Sequence, residues 1–339
     1  MKINTQVGRD KYPTLRKIIF SISLFVLGIA VGFFTNVATK TSEVNENASE
    51  LRLGVDGLTN PLLECEIGGD TIASRKLDFT PQLINFVDTL KESKSIENVG
   101  VYFRDLNNGP IVGINQGASF APASLLKVPV LIAYLHWAEK TPSVLDEKIV
   151  FSAPVNVGYQ QQFAPMVPLE VGKTYSAKEL LETMIKYSDN QALVLLFKRL
   201  PKEYQDDLYQ LLGVDPKLIT DPTATLTVRQ YSIFFRILFN ASFLSRAHSE
   251  YALDLLTQTS FTDGLRAGVP AKVLVSHKFG ERKIGDDVQQ FHDCGIVYYP
   301  KHPYLLCVMT RGNNVPDLVE SIQKVSDFVY QTIDKQYKE

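Results

Sequence analysis

The sequence predicts an α+β fold, an α/β sandwich whose antiparallel sheet is formed by both ends of one domain. Segments rich in β-branched and aromatic residues occur near residues 99–115 and again beyond residue 271, which predicts strands at both ends. Between them, residues 176–240 carry apolar side chains at helical spacing, which indicates an all-helical cluster. A hydrophobic fraction of 45% in 339 residues is typical of a globular protein with a large core.

One apolar run precedes this domain and predicts a membrane anchor. Residues 1–17 are polar and basic, and residues 18–38 then form a run of about 20 mostly apolar residues, enough to span a bilayer. Positive charge lies before the run and acidic residues follow it. We therefore predict a cytoplasmic tail, a single transmembrane helix in the cytoplasmic membrane, and an extracytoplasmic remainder. A cleaved signal peptide is the alternative.

The polar, acidic residues 39–76 show no sustained periodicity and are predicted to tether the anchor to a domain over residues 77–339. The first part of this domain is predicted to hold a helix and a β-hairpin, at Pro81–Leu90, Val99–Leu106 and Ile111–Asn115. Helices are predicted over residues 176–200, 202–212 and 226–240. Three strands and a closing helix follow, at Ala271–Ser276, Asp293–Tyr299, Tyr304–Thr310 and Asp317–Tyr337.

Charge and cysteine content narrow the function. A net charge of -2 argues against nucleic acid as a partner. The three cysteines, Cys65, Cys294 and Cys307, lack the spacing of metal ligands, so we expect neither a metal nor a cofactor. Cys294 and Cys307 fall on neighbouring predicted strands, where they form either a disulfide or two buried thiols.

Ser124 and Lys127 form the first candidate catalytic pair. Their spacing of three residues on a helix sets both side chains on one face. Residues 128–135 are apolar, so the lysine is expected to be buried, and burial lowers the pKa of a lysine towards that of a base. The pattern S-x-x-K alone is also typical of an N-capping serine with a solvated lysine.

Two later stretches supply partners for this pair. Ser188, Asp189 and Asn190 interrupt a helical region with residues that favour caps and turns, which indicates a break that presents side chains. Lys278 lies at the end of a predicted strand, and Gly280 after it allows close backbone approach.

These three motifs, in this order, resemble those of class A β-lactamases and penicillin-binding proteins. The resemblance covers residues from about 80 to 336 and implies a β-lactamase/transpeptidase-like fold. It implies that Ser124 is the nucleophile and Lys127 the acylation base, acting on a β-lactam or a peptidoglycan-like amide.

The same resemblance implies roles for the remaining site residues. Ser188 relays a proton to the leaving nitrogen with the aid of Lys278, and Asn190 binds a substrate amide. Gly280 and the preceding Phe279 line the substrate site. The backbone N–H groups of Ser124 and Glu281 form the oxyanion hole. Asp189 is expected to fix its loop through backbone hydrogen bonds.

Two departures from the family pattern limit the analogy. Phe279 stands where family members usually have a Thr or Ser whose hydroxyl contacts the substrate carboxylate. No Glu-x-x-Leu-Asn pattern occurs in residues 212–225, where the only acids are Asp215 and Asp221, both before proline and typical of turns. We therefore predict acylation at Ser124 with slow deacylation. The alternatives are a D,D-peptidase-like acyl transferase and a non-catalytic domain that binds cell-wall peptides.

Overall fold

The computed structural model describes residues 48–54, 57–67, 79–94, 96–107, 111–156, 161–215, 218, 221, 223–285 and 287–338. The strands are β1 Ala48–Arg52, β2 Leu62–Ile67, β3 Ile96–Asp105, β4 Ile111–Ile114, β5 Ser119–Phe120, β6 Lys148–Val150, β7 Thr174–Ser176, β8 Leu226–Thr227, β9 Val275–Ile284, β10 Val288–Val297 and β11 Tyr304–Gly312. The helices are α1 Thr80–Ser93, α2 Lys127–Lys140, α3 Ala177–Lys186, α4 Asn190–Phe197, α5 Lys202–Leu212, α6 Val228–Phe239, α7 Arg246–Thr257 and α8 Val315–Tyr337.

A five-stranded antiparallel sheet in the order β4-β3-β11-β10-β9 forms the centre of the fold. Strands β3 and β4 come from the first part of the domain, and β9 to β11 come from its last part. The prediction that both ends contribute to one sheet is confirmed. Strand β9 lies at an edge of this sheet.

Both faces of the sheet are covered, so burial is nearly continuous rather than alternating along β3, β9, β10 and β11. On one face, Val101 and Phe103 of β3 pack with α1 and α8, where the rings of Phe86 and Phe328 stack with centroids 4.8 Å apart. On the other face, Tyr102 packs against the helical cluster, whose central helix α2 is buried continuously over residues 127–135. The predicted sandwich of sheet and helices is therefore present.

The structure corrects the predicted bounds of the strand that carries Lys278. We predicted a strand over Ala271–Ser276, but β9 runs from Val275 to Ile284 and pairs along its whole length with β10. The polar residues after Lys278 gave no strand signal, because their extended conformation comes from pairing with β10. The apolar residues before it partly form a turn, in which Val273 N donates to Pro270 O.

Helix α7 was absent from the prediction. Its buried apolar residues lie in its second half, and its first turn is polar. The signal for this helix is its N-cap, since the Ser245 hydroxyl accepts a hydrogen bond from His248 N.

Part of the predicted tether is ordered on the domain. Strands β1 and β2 form an antiparallel hairpin, and the chain between them contacts the helical cluster. The Glu250 carboxylate accepts hydrogen bonds from Leu58 N and Thr59 N, at 2.6 and 3.0 Å. In the described ranges, no helix has the length and apolar character that crossing a membrane requires. The predicted anchor, residues 18–38, lies outside those ranges.

The alternatives left open for two cysteines are resolved by the pairing of β10 with β11. Cys294 lies directly opposite Cys307 in that register, and the two form a disulfide. Both residues are buried against the helical cluster.

Candidate active site

Ser124 lies in a 3₁₀ turn, Ala123–Leu126, that continues directly into α2. Two buried groups of β10 hold the approach to this turn at the backbone of Ala121. Ala121 N donates to Gln290 Oε1 at 2.9 Å, and His292 Nε2 donates to Ala121 O at 3.0 Å. Ala123 has a φ of 51°, an uncommon value for a residue with a side chain. The sheet thus fixes the Ser124 turn in a strained conformation, as often occurs at functional sites.

Lys127 is fully buried and contacts the side chains of two other predicted site residues. Its Nζ donates to Ser124 Oγ and to Asn190 Oδ1, both at 2.6 Å. Burial lowers the pKa of Lys127 from its ordinary value of 10.5 to about 7, although the nearby carboxylates of Asp189 and Glu281 oppose this shift. A substantial fraction of Lys127 is therefore neutral near pH 7 and able to accept the hydroxyl proton of Ser124.

Ser188, Asp189 and Asn190 occupy the break between α3 and α4. Ser188 is buried with a φ of 54°, a second uncommon backbone conformation at this site. The Asp189 side chain caps α4 by accepting a hydrogen bond from Ala192 N at 2.7 Å. The predicted structural role of Asp189 is therefore confirmed, and the cap positions the residues on either side of it.

Lys278 reaches the same break from the edge strand β9. Its Nζ is buried and donates to Ser188 Oγ and to Phe279 O, both at 2.9 Å. Burial and the nearby charge of Lys127 hold the pKa of Lys278 well below its ordinary value. The structure thus brings together two lysine and serine pairs, Ser124 with Lys127 and Ser188 with Lys278.

Gly280 brings the edge strand into close contact with the Ser124 turn. A Cβ atom built on Gly280 would lie 3.0 Å from Leu125 N and 3.1 Å from Pro122 O. A side chain here would push β9 away from the nucleophile, as the sequence predicted from the need for close approach. On the far side of the turn, Tyr231 OH donates to Leu125 O at 3.0 Å.

The side chains of Phe279 and Glu281 both make contacts at the site that the sequence did not predict. The Phe279 ring is almost fully buried among other aromatic rings, and it also lines a small cavity beside Tyr187. The backbone of Glu281, a predicted oxyanion donor, lies on β9 at the edge of the sheet. Its side chain is buried and accepts a hydrogen bond from Phe163 N at 3.1 Å. Burial raises the pKa of the Glu281 carboxyl.

The segment predicted to lack a deacylating glutamate contains acids used for local structure. Asp221 Oδ1 accepts hydrogen bonds from Thr223 N at 2.8 Å and from Thr223 Oγ1 at 2.6 Å. The backbone carbonyl of Asp215 accepts a hydrogen bond from Leu218 N. These contacts confirm Asp221 as a turn former.

Some residues of the site were missed because their contacts join distant parts of the chain. Gln290 and His292 contact Ala121 from 169 and 171 residues away. Burial lowers the pKa of His292 to about 4, so it is neutral and donates through Nε2. His277 is buried with its Nδ1 2.9 Å from Asp293 Oδ1, a residue of the neighbouring strand β10. No local sequence pattern marks these contacts.

Comparisons with known proteins identify relatives of this chain. A sequence model of the beta-lactamase enzyme family matches residues 82–333. A beta-lactamase of Bacillus amyloliquefaciens is 25% identical over 235 residues, covering 65% of this chain and 74% of that protein. A PBP-A mutant solved as an acyl-enzyme complex with penicillin G is 24% identical, with a TM-score of 0.61, over 76% of this chain and 97% of that chain. A class A beta-lactamase from Mycobacterium abscessus is 22% identical, with a TM-score of 0.63, over 74% of this chain and 99% of that chain. The two solved structures share the fold described above.

Proposed function

Because the chain belongs to the beta-lactamase enzyme family, we propose that it is a membrane-anchored serine hydrolase that forms an acyl-enzyme on Ser124. The family and its curated relative make the chain a hydrolase that acts on cyclic amides. A β-lactam or a peptidoglycan-like amide is the proposed substrate. The PBP-A mutant, solved as an acyl-enzyme with penicillin G, supports this chemistry by analogy.

The short contact between Lys127 and Ser124 carries the proposal. Ser124 Oγ attacks the carbonyl carbon while its proton passes to Lys127 Nζ, 2.6 Å away. Burial brings the pKa of Lys127 to about 7, so the amine is a base at neutral pH and needs no His–Asp relay. The negative charge on the carbonyl oxygen is stabilised by the backbone N–H groups of Ser124 and Glu281.

Collapse of the tetrahedral intermediate breaks the carbon–nitrogen bond. The Ser188 hydroxyl gives a proton to the leaving nitrogen and regains one from Lys127, so the proton taken from Ser124 is passed on and Lys127 is neutral again. The hydrogen bond from Lys278 Nζ stabilises the Ser188 oxygen during this relay. Asn190, held by Lys127, presents its amide to the acyl side of the substrate. The product of this half-reaction is an ester of Ser124.

Slow hydrolysis of this ester is the second part of the proposal. Deacylation needs a base that activates water, and Asp221, an acid of the 212–225 segment, is engaged in a turn. Lys127 remains the nearest described base to Ser124 Oγ. The acyl-enzyme is therefore expected to accumulate.

The location of the enzyme is inferred from residues 1–38 of the sequence alone. The basic residues 1–17 and the apolar run 18–38 support a cytoplasmic tail and a single anchor, which leaves the catalytic domain outside the cytoplasmic membrane. Cell-wall peptides and β-lactams are both encountered on that side.

Intact-mass spectrometry of the full-length protein with a reporter penicillin tests the proposal. We expect one covalent adduct, located at Ser124 by peptide mapping and lost in Ser124→Ala. The exposed Ser119→Ala, in the same region of the chain, is the matched control and should keep the adduct. An adduct that persists in Ser124→Ala, or no adduct in the wild type, contradicts the proposal. The second result would favour the D,D-peptidase or the wall-peptide-binding alternative.

A further inference from the structure

A cavity beside the Ser188 and Lys278 pair has a largely aromatic wall. Its volume is about 180 Å³. It adjoins the pair because Tyr187 and Phe279, which line it, directly neighbour Ser188 and Lys278 in the chain. Its lining is largely aromatic, with Met166 and Asp263, and it also includes the hydroxyl-bearing Ser260 and Thr262.

The amine of Lys278 lies against the ring of Phe279, which lines this cavity. Lys278 Nζ lies 4.0 Å from the centroid of the Phe279 ring, and both side chains are almost fully buried. The Lys278 amine is directed at Ser188 and the Phe279 carbonyl instead. Little positive charge is therefore available to attract an anion into the cavity.

An aromatic cluster forms the wall around Phe279. The Phe261 ring lies 4.4 Å from the Phe279 ring, and the Phe163 ring meets Phe261 edge-on at 5.0 Å, measured between centroids. The rings give the cavity a hydrophobic wall. Such a wall favours an alkyl chain and disfavours a desolvated carboxylate.

The loop that supplies Phe163 is fixed to the active site at two points. Phe163 N donates to Glu281 Oε1, and Gln161 Nε2 donates to the Ser188 carbonyl at 3.2 Å. Both acceptors belong to residues assigned to the proposed site. The aromatic wall is therefore built into the geometry of that site.

The charged residue at the rim of the cavity also favours a cation over an anion. Asp263 is exposed and is the acidic residue among the described residues that line the cavity, which include no lysine or arginine. The nearby Arg266 donates to the backbone carbonyls of Val269, Pro270 and Ala271. A carboxylate beside a hydrophobic wall can bind the ammonium group of a ligand whose alkyl chain packs on that wall.

We propose that this cavity binds an alkylammonium group of the substrate, such as the side chain of a basic amino acid in a peptide, and rejects a carboxylate there. The inference rests on the proposed function, since it names the substrate class of that site. The alkyl chain lies against Phe163 and Phe261, and the ammonium group lies at the Asp263 end.

Binding of three matched probes tests the inference without any chemistry. NMR titrations of full-length protein and of Ser124→Ala use n-pentylamine, which is charged at neutral pH, 1-pentanol and pentanoate. We expect the amine to bind most tightly and pentanoate most weakly in both proteins. We also expect pentylamine to slow acylation by the reporter penicillin.

Substitutions separate the two proposed contacts. Asp263→Asn should weaken binding of the amine about threefold, in the range of an exposed ion pair, and leave 1-pentanol unchanged. Asp146→Asn, an exposed acid at the end of another turn, is the control and should have no effect. Phe163→Leu, which alters the apolar wall against which the alkyl chain lies, should weaken binding of the amine and of the alcohol by similar factors.

Two results overturn the inference. One is equal or tighter binding of pentanoate than of pentylamine, and the other is an amine affinity unchanged by Asp263→Asn. Because these measurements do not depend on acylation, they are separate from the test of the proposed function. An amine preference without any Ser124 adduct would contradict only the proposed function.

Discussion

At the residue scale, the chemistry depends on a lysine kept neutral by its surroundings. Lys127 lies at the start of helix α2, whose residues 127–135 are all buried, so its charged form loses its hydration. The attraction of the nearby carboxylates offsets this loss only in part. The same burial aims its Nζ at Ser124 and Asn190. Burial therefore accounts for both the position of the Lys127 amine and its ability to act as a base.

This cause predicts the pH dependence of acylation. Below pH 7 Lys127 is protonated and cannot accept the Ser124 proton, whereas above pH 7 it is neutral, so the acylation rate should rise with pH around a midpoint near 7. Stopped-flow measurement with the reporter penicillin gives the profile. Lys127→Ala should lower the rate by about 10²- to 10⁴-fold, while the exposed Lys173→Ala should not change it. A rate independent of pH between 5 and 9 would exclude Lys127 as the base.

The sequence identified residues whose contacts are local or marked by a known motif. The Ser124 and Lys127 pair follows from helical spacing, and Asp189 follows from its preference for caps. The Glu281 side chain and its contact with Phe163 could not be predicted, because 118 residues separate the two partners and neither stretch carries a pattern. Such contacts are set by the fold as a whole.

At the element scale, the N-terminus of α4 positions two proposed site residues. Its cap, Asp189, lies between Ser188, which accepts the Lys278 hydrogen bond, and Asn190, which accepts the Lys127 hydrogen bond. A distortion of this helix end would therefore move both Ser188 and Asn190 relative to Ser124.

Matched cap variants test this role. Asp189→Ala removes the acceptor for Ala192 N and should destabilise the protein by about 1 kcal/mol. Ser245→Ala removes the comparable cap of α7, outside the residues that form the site, and should cost a similar amount. Urea unfolding measures stability, and reporter-penicillin acylation measures activity. We expect only Asp189→Ala to slow acylation markedly, and an equal effect of both variants would contradict a positioning role.

The elements also show where prediction from sequence ends. Helices with a continuous apolar face, strand β11 and the second half of β10 were predicted because burial leaves a periodic or apolar pattern, whereas the prediction of a strand over Asp293–Tyr299 missed the first half of β10. Strand β9 was misplaced because its extended conformation after Lys278 results from pairing with β10, not from its own side chains. Helix α7 was missed because its apolar residues span too few turns.

At the scale of the whole molecule, the fold class was predicted because both ends of the domain carry strand patterns around a helical middle. The ordered hairpin of β1 and β2 was not, since its position depends on contacts with a distant part of the chain, such as those of Glu250. The folded part of the chain thus begins before residue 77.

Anchoring is a separate prediction for the whole chain. If residues 18–38 form an uncleaved helix, the protein should sediment with membranes, resist alkaline carbonate extraction, and retain residue 1 or 2 as its N-terminus. A version lacking residues 1–38 should appear in the soluble fraction. Mature protein beginning near residue 39 would instead establish a cleaved signal peptide.

The lifetime of the acyl-enzyme tests the central claim most directly. Full-length protein is acylated with the reporter penicillin, freed of excess reagent, and followed by intact mass while product release is measured in parallel. We predict a burst of one equivalent, an adduct on Ser124 that persists long after the reagent is removed, and slow turnover thereafter. Rapid steady hydrolysis without an accumulated adduct would contradict the account, because it would require an efficient deacylating base at this site.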